Sequence, residues 1–164
     1  AARPGLGTRP APALDFPYVI PAQGSRSMTD RAPRTAACSC GQVTVTTHGE
    51  PAWVNLCNCL DCQRRSGSAF HVAAFFPDAQ IDAIAGARTA YARPTRDGRT
   101  MDLEFCPTCG VSVLFRLKMR PGYTAIHVGC FADPDFPPPT KIWFAHRAHP
   151  WVVLPEGEVI PPPD

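Results

Sequence analysis

The chain has 164 residues, enough for one domain with a core and too few for two comfortable ones. Lys and Arg total 16 against 14 Asp and Glu, and this net charge of +2 is scattered, so nothing marks a DNA- or RNA-binding surface. The first thirty residues hold no apolar run of the length that a signal peptide or membrane span needs.

Residues 1–27 carry Pro4, Pro10, Pro12, Pro17 and Pro21 with Gly5, Gly7 and Gly24, which break any helix or strand pattern. The run Gly24-Ser25-Arg26-Ser27 before Met28 reads as a cloning remnant ahead of an initiator methionine. Residues 1–27 are therefore read as a flexible, vector-derived leader, and 28–164 as a single domain. Cys38-Ser39-Cys40-Gly41 follows, and then a β-branched strand over Gln42–Thr47. Cys57-Asn58-Cys59-Leu60-Asp61-Cys62 comes next, with a short helical turn expected over Gln63–Ser66 that Gly67 stops. Further strands are expected over Ala69–Phe76, Arg99–Phe105, Val111–Leu117, Tyr123–Val128 and Lys141–Phe144, separated by Pro, Gly and Asp. Pro134–Pro139 reads as a stiff loop and Pro161–Pro163 as an extended tail. No stretch sustains an apolar i, i+3, i+4, i+7 pattern for three turns, so the fold class expected is all-β.

The eight cysteines fall into groups of two, three and two, with Cys130 alone. Four disulfides in a secreted scaffold are one reading of that number. Cysteines one residue apart pair poorly without strain, and metal-bound thiolates in a reducing cytoplasm are favoured. Short C-x-C and C-x-x-C turns let neighbouring thiolates converge on one tetrahedral ion. Cys38 and Cys40 with Cys106 and Cys109 complete a closed four-thiolate site, which reads as structural zinc. Gly41 and Gly110 after each pair suit knuckles whose backbone N–H groups point back at sulfur. A zinc ribbon of Cys59/Cys62 with Cys106/Cys109 is disfavoured, because those pairs lie further apart than the ~15–20 residues of such sites.

Cys57, Cys59 and Cys62 are then left with three thiolates, the ligand count of a catalytic zinc with one open position. The competing reading closes this site with Cys130, His71, His127 or His146. A lone cysteine at a strand end is more often a small buried hydrophobe, and a lone strand histidine more often a satisfied core or surface residue.

Cys-Gly-x-Val after a C-x-C (Cys38–Val43), C-x-C-x-x-C with a downstream Ser-Gly-Ser-Ala-Phe (Cys57–Phe70), Phe-Cys-Pro-x-Cys-Gly (Phe105–Gly110), Ile142-Trp143 and Trp151 occur in that order. This arrangement resembles the GFA family, whose namesake is the glutathione-dependent formaldehyde-activating enzyme. The resemblance covers roughly residues 36–153. It implies a β-tent of small antiparallel sheets clipped by zinc. It also implies two zinc ions per chain, one structural at the four flanking cysteines and one catalytic or labile at the central three. The activity implied is that of a carbon–sulfur lyase making or breaking S-hydroxymethylglutathione, with glutathione and an aldehyde as partners. Where the family often has histidine inside the triplet, this chain has Asn58; where it often has arginine directly after it, this chain has Gln63 and then Arg64.

On that reading an open three-cysteine zinc accepts a thiolate as its fourth ligand. Arg64 or Arg65 is the candidate clamp for a glutathione carboxylate, against the plainer reading of a solvated surface pair. His71 is the candidate proton relay. Phe70, Phe75 and Phe76 read as core, and Trp143 as packing or as a wall of the site. A non-catalytic zinc-binding or glutathione-binding interaction module is the alternative from another class.

Overall fold

The computed structural model describes residues 32–95 and 98–161. The leader assigned to 1–27 and the end of the Pro161–Pro163 tail lie outside these residues. The strands are β1 (Arg34–Ala37), β2 (Thr44–Thr47), β3 (Trp53–Cys57), β4 (His71–Pro77), β5 (Ile81–Ala85), β6 (Thr89–Pro94), β7 (Thr100–Phe105), β8 (Ser112–Leu117), β9 (Tyr123–His127), β10 (Lys141–Trp143) and β11 (Glu158–Ile160). The single α-helix described, α1, spans Leu60–Ser66, and the remaining helical pieces are short 3-10 turns. The fold is all-β, as the residue pattern led one to expect.

Strands β1, β2 and β5 make a small antiparallel sheet. The others form an eight-stranded sheet in the order β11-β10-β3-β4-β9-β8-β7-β6. Its pairings are antiparallel except that β10 runs parallel to β3 and to β11. A parallel neighbour requires a long return connection, and between β3 and β10 the chain runs through β4–β9 before it comes back beside β3.

The main core lies between the sheets. Ala36, Val43 and Val45 from the small-sheet side meet Val54, Ala74, Phe76, Leu114 and Ile126, all essentially buried. Successive strand residues point to opposite faces, so the alternate positions of the same strands build the outer face of the large sheet. A second apolar cluster sits there, formed by Ala73, Phe75, Met101, Leu103, Phe115 and Ala125. Strand β4 is thus buried on both faces. Phe76 belongs to the main core as expected, Phe75 belongs to the outer cluster, and Phe70 is only partly buried.

Five strands are absent from the sequence-based expectation: β1, β3, β5, β6 and β11. The β6 segment Thr-Ala-Tyr-Ala-Arg-Pro has little strand propensity and almost no burial, and its pairing with β7 alone makes it a strand. Helix α1 begins three residues earlier than the expected turn, inside the cysteine triplet. Cys59 is its N-cap, and Gly67 ends it with φ 62°, the left-handed conformation glycine adopts freely.

Candidate metal centres and the adjoining cavity

All eight cysteines are free thiols. Two groups bring their sulfurs together: Cys38, Cys40, Cys106 and Cys109 in one, Cys57, Cys59 and Cys62 in the other, each with Sγ atoms within 4.8 Å of one another.

The four-cysteine group is made by two matching knuckles. In each, the first cysteine's N–H donates to a valine carbonyl five residues on, Cys38 to Val43 and Cys106 to Val111, both at 2.9 Å. In each, the glycine N–H returns to the first cysteine's carbonyl, Gly41 to Cys38 and Gly110 to Cys106, again at 2.9 Å. These glycines have φ 76° and 74°, so the turns require them. A backbone N–H does point back at sulfur, that of Val43, which donates to Cys38 Sγ at 3.2 Å. Cys40 Sγ lies 3.5 Å from Cys38 Sγ and 3.6 Å from Cys106 Sγ. Backbone N–H groups of Val111 and Cys40 hold the Cys109 thiol down to about 6, which favours the thiolate a metal takes. Spacing, soft donors and available thiolate character all fit a thiophilic ion.

The triplet is built where β3 turns into α1. Cys57 ends the strand, Cys59 caps the helix, and Cys62 lies in its first turn, donating its N–H to Cys59 Sγ at 3.4 Å. Hydrogen bonds from Cys57 and Cys62, with helix-terminal N–H groups behind them, pull the Cys59 thiol down to about 2. Cys57, which shares that proton and is buried, is pushed up. Among the described residues no histidine or carboxylate joins the three sulfurs. Cys130 sits in the turn Val128–Phe131 and donates to the Ser112 carbonyl at 3.6 Å, away from the triplet. His146 is exposed.

His71 is close by in the fold, paired in register with Cys57, yet both its ring nitrogens are engaged. Arg65 Nη2 lies 3.0 Å from His71 Nδ1, His71 Nε2 lies 3.0 Å from His127 Nδ1, and His127 Nε2 lies 3.3 Å from Ser112 Oγ. One proton assignment satisfies these three links: Arg65 donates to His71 Nδ1, His71 Nε2–H donates to His127 Nδ1, and His127 Nε2–H donates to Ser112, while the longer approach of Arg65 Nη1 to His127 Nε2 at 3.4 Å then lies between two donors. Burial, reinforced by Arg65, lowers His71 to about 2 and His127 to about 3, so both imidazoles are neutral at pH 7. The sign of the resulting pH dependence follows from this. Unfolded histidines near 6.5 take up protons that the folded ones refuse, so stability falls as pH drops below about 6.5. His127→Gln is expected to remove about 1.4 kcal/mol of the stability otherwise lost between pH 7.5 and 5.5, read from urea midpoints at those two values.

The two arginines part company. Arg65 stacks over Phe115 at 4.5 Å and reaches to 3.8 Å from Cys62 Sγ, whereas Arg64 is turned to solvent beside Asp61 at 4.0 Å. The two departures from the family pattern have structural partners. Asn58 is fully buried, donating its N–H and Nδ2 to the Trp143 carbonyl at 3.0 and 3.1 Å. Gln63 Nε2 donates to the Asn58 carbonyl at 2.8 Å and lies 3.3 Å from the Arg147 carbonyl. Asn58 thereby ties the triplet loop to the end of β10, and Gln63 ties it to the turn that follows.

Cys57, Cys62 and Arg65 open onto a cavity of about 270 Å³ on the outer face of the large sheet. Its walls include Trp53, Phe75, Phe115 and Trp143, with Lys141 and Arg120, and no acidic residue lines it among the described residues. Trp143, read from sequence as packing or wall, is a wall. Trp53, Asn55, Phe115, Arg120 and Lys141 went unnoticed in the sequence. A period-two count back from Cys57 would have found Asn55 and Trp53, since residues two and four before it share its face.

Residues 33–146 match the family described as glutathione-dependent formaldehyde-activating enzyme. The chain belongs to the GFA family. No protein of curated function matches it. A solved Rhodobacter sphaeroides protein structure is similar at 25% identity over 58% of this chain and 85% of its own, with a TM-score of 0.46. As a GFA-family chain it has its two cysteine clusters where the ordered motifs lie. No described helix is long and apolar enough to cross a membrane.

Proposed function

We propose that this protein is a carbon–sulfur lyase-type enzyme that makes or breaks a thiol–aldehyde adduct of the S-hydroxymethylglutathione kind at Cys57, Cys59 and Cys62. The observation that carries the reading is a three-sulfur cluster, short of a fourth ligand among the described residues, at the end of a cavity. Its all-sulfur donor set suits zinc, and the four-cysteine knuckle site suits a second, structural zinc. A zinc held by the triplet would supply a soft Lewis-acidic position that keeps an incoming thiol deprotonated near neutral pH.

The chain's own residues would do the remainder. Arg65, beside Cys62 Sγ, offsets the negative charge that three thiolates concentrate, and His71 and His127 hold its guanidinium in place. Arg65, Lys141 and Arg120 draw an anionic thiol such as glutathione towards the cavity. In this reading Arg65 is the carboxylate-facing cation of the pair, and Arg64 is solvated. Asn55 Oδ1 and Trp143 Nε1 are buried without a hydrogen-bond partner, an acceptor and a donor flanking the Cys57 row. An adduct hydroxyl uses one of each. The aromatic walls exclude water from a hemithioacetal that would otherwise exchange freely. Eight unpaired thiols are consistent with a reducing, cytoplasmic setting.

The test is cobalt substitution followed by anaerobic titration with glutathione. The d–d bands of one of two cobalts should shift, and formaldehyde should then be consumed faster than in the uncatalysed reaction. Two tetrahedral thiolate cobalts indifferent to glutathione would sink the proposal and leave a non-catalytic interaction module.

A further inference from the structure

The cavity is oversized for a one-carbon aldehyde. Its volume is about 270 Å³, whereas a group of formaldehyde's size needs space on the order of a water's ~30 Å³ share. The shape follows from register. Trp143, Cys57 and His71 form the row at the triplet end; Lys141, Asn55 and Ala73 form the next; Trp53 and Phe75 form the third. Ala73, essentially buried, lies in the middle of the floor, where a larger side chain would fill the space. Around it the aromatic rings are already packed against each other. Trp53 stacks on Phe75 at 4.9 Å, and Phe75 meets Phe115 edge-on at 5.9 Å. These walls give an apolar slot with flat sides.

The charges in the lining are of one sign. Lys141 stands over Trp53, its Nζ 5.7 Å from the ring, and Arg120 lies among the lining residues beyond it. An α-ammonium group such as that of a γ-glutamyl end meets no carboxylate among the described lining residues. A buried ammonium without a partner is costly, so the polar half of glutathione is the poorer occupant of this slot. From Cys57 to Lys141 the sheet spans roughly 8 Å, taking a ~3.3 Å rise per residue and ~4.8 Å between strands. A benzene ring carrying a carboxylate bridges that distance.

We infer that the aldehyde-derived half of the adduct is a flat apolar body ending in a carboxylate, of the carboxybenzaldehyde class, lying on Ala73 with its anion at Lys141. This rests on the thiol–aldehyde reading above. The step is redox-neutral: the thiol adds across the aldehyde C=O, an S–C bond forms, the S–H proton ends on the former carbonyl oxygen, and the reverse reaction releases both partners.

The experiment has a thiol-free arm and a turnover arm. Trp53 and Trp143 line the slot, so benzoate alone should change the intrinsic fluorescence of the zinc-loaded protein saturably. Ala73→Leu should abolish that response by filling the floor. Lys141→Gln, at the rim, should weaken it about tenfold, the loss of one charged hydrogen bond. With glutathione present, 4-carboxybenzaldehyde should exceed formaldehyde in kcat/KM by about tenfold or more, from burial of the ring. Formaldehyde turnover that matches or exceeds that of the aromatic aldehyde, or benzoate binding indifferent to both substitutions, overturns this inference and leaves the thiol–aldehyde reading standing. Turnover of neither aldehyde overturns both.

Discussion

Cys106→Ala is expected to leave the domain largely unfolded at 25 °C and unable to retain its knuckle metal. Cys106 is fully buried within the main core cluster, and its Sγ lies 3.6 Å from that of Cys40. The four-cysteine cluster joins the turn after β1 to the turn between β7 and β8, so one ion held there would close a loop across much of the domain. Structural zinc contributes on the order of 10 kcal/mol of folding free energy. Whole domains are stable by only about 5–15 kcal/mol, so losing one of four thiolates removes a decisive share. Far-UV circular dichroism on heating, with metal counted per chain, reads the result. Cys130→Ala is the control, a half-buried cysteine outside both clusters, with an expected cost of about 1 kcal/mol. A Cys106→Ala protein melting within a few degrees of the parent would show that the four-cysteine site does not hold the fold together.

Cys59→Ala should have the opposite profile. The domain should fold, carry one metal fewer, and lose thiol-dependent turnover by about a hundredfold or more, the scale of removing a group on which the chemistry depends. Its structural cost is the N-cap of α1, where Cys59 Sγ accepts from Cys62 N. A lost cap is worth about 1 kcal/mol, or a few degrees of melting temperature in a domain of this size. Helix α1 buries no residue, so little of the core depends on it. Melting curves and metal analysis of the two alanine variants side by side separate the roles. Equal unfolding in both would make the triplet structural and remove the basis for an active site there.

The grouping of the cysteines, the all-β class and the strong alternating strands were legible in the residue order. So were the glycine-closed knuckles and Gly67 ending the helix. These are local matters: ligand convergence over two or three residues, strand periodicity and left-handed backbone positions act within a few residues of their cause. Propensity missed β6 because its exposed, alanine-rich segment is a strand only through pairing with β7. Nor could local pattern separate Arg64 from Arg65. They are adjacent in sequence, and helix geometry points one at Cys62, His71 and Phe115 while the other faces water. The histidines at 71 and 127 became one neutral pair only when β4 and β9 were laid side by side. The cavity depended most on tertiary structure. Its floor and walls come from strands β3, β4, β7, β8 and β10, distant in sequence and brought together by a parallel return. What the chain determined by itself was which residues can hold metal. Which side of the three-cysteine cluster opens onto a cavity, and what lies against it, was decided by long-range strand pairing, because a pocket belongs to the sheet and not to any one segment of it.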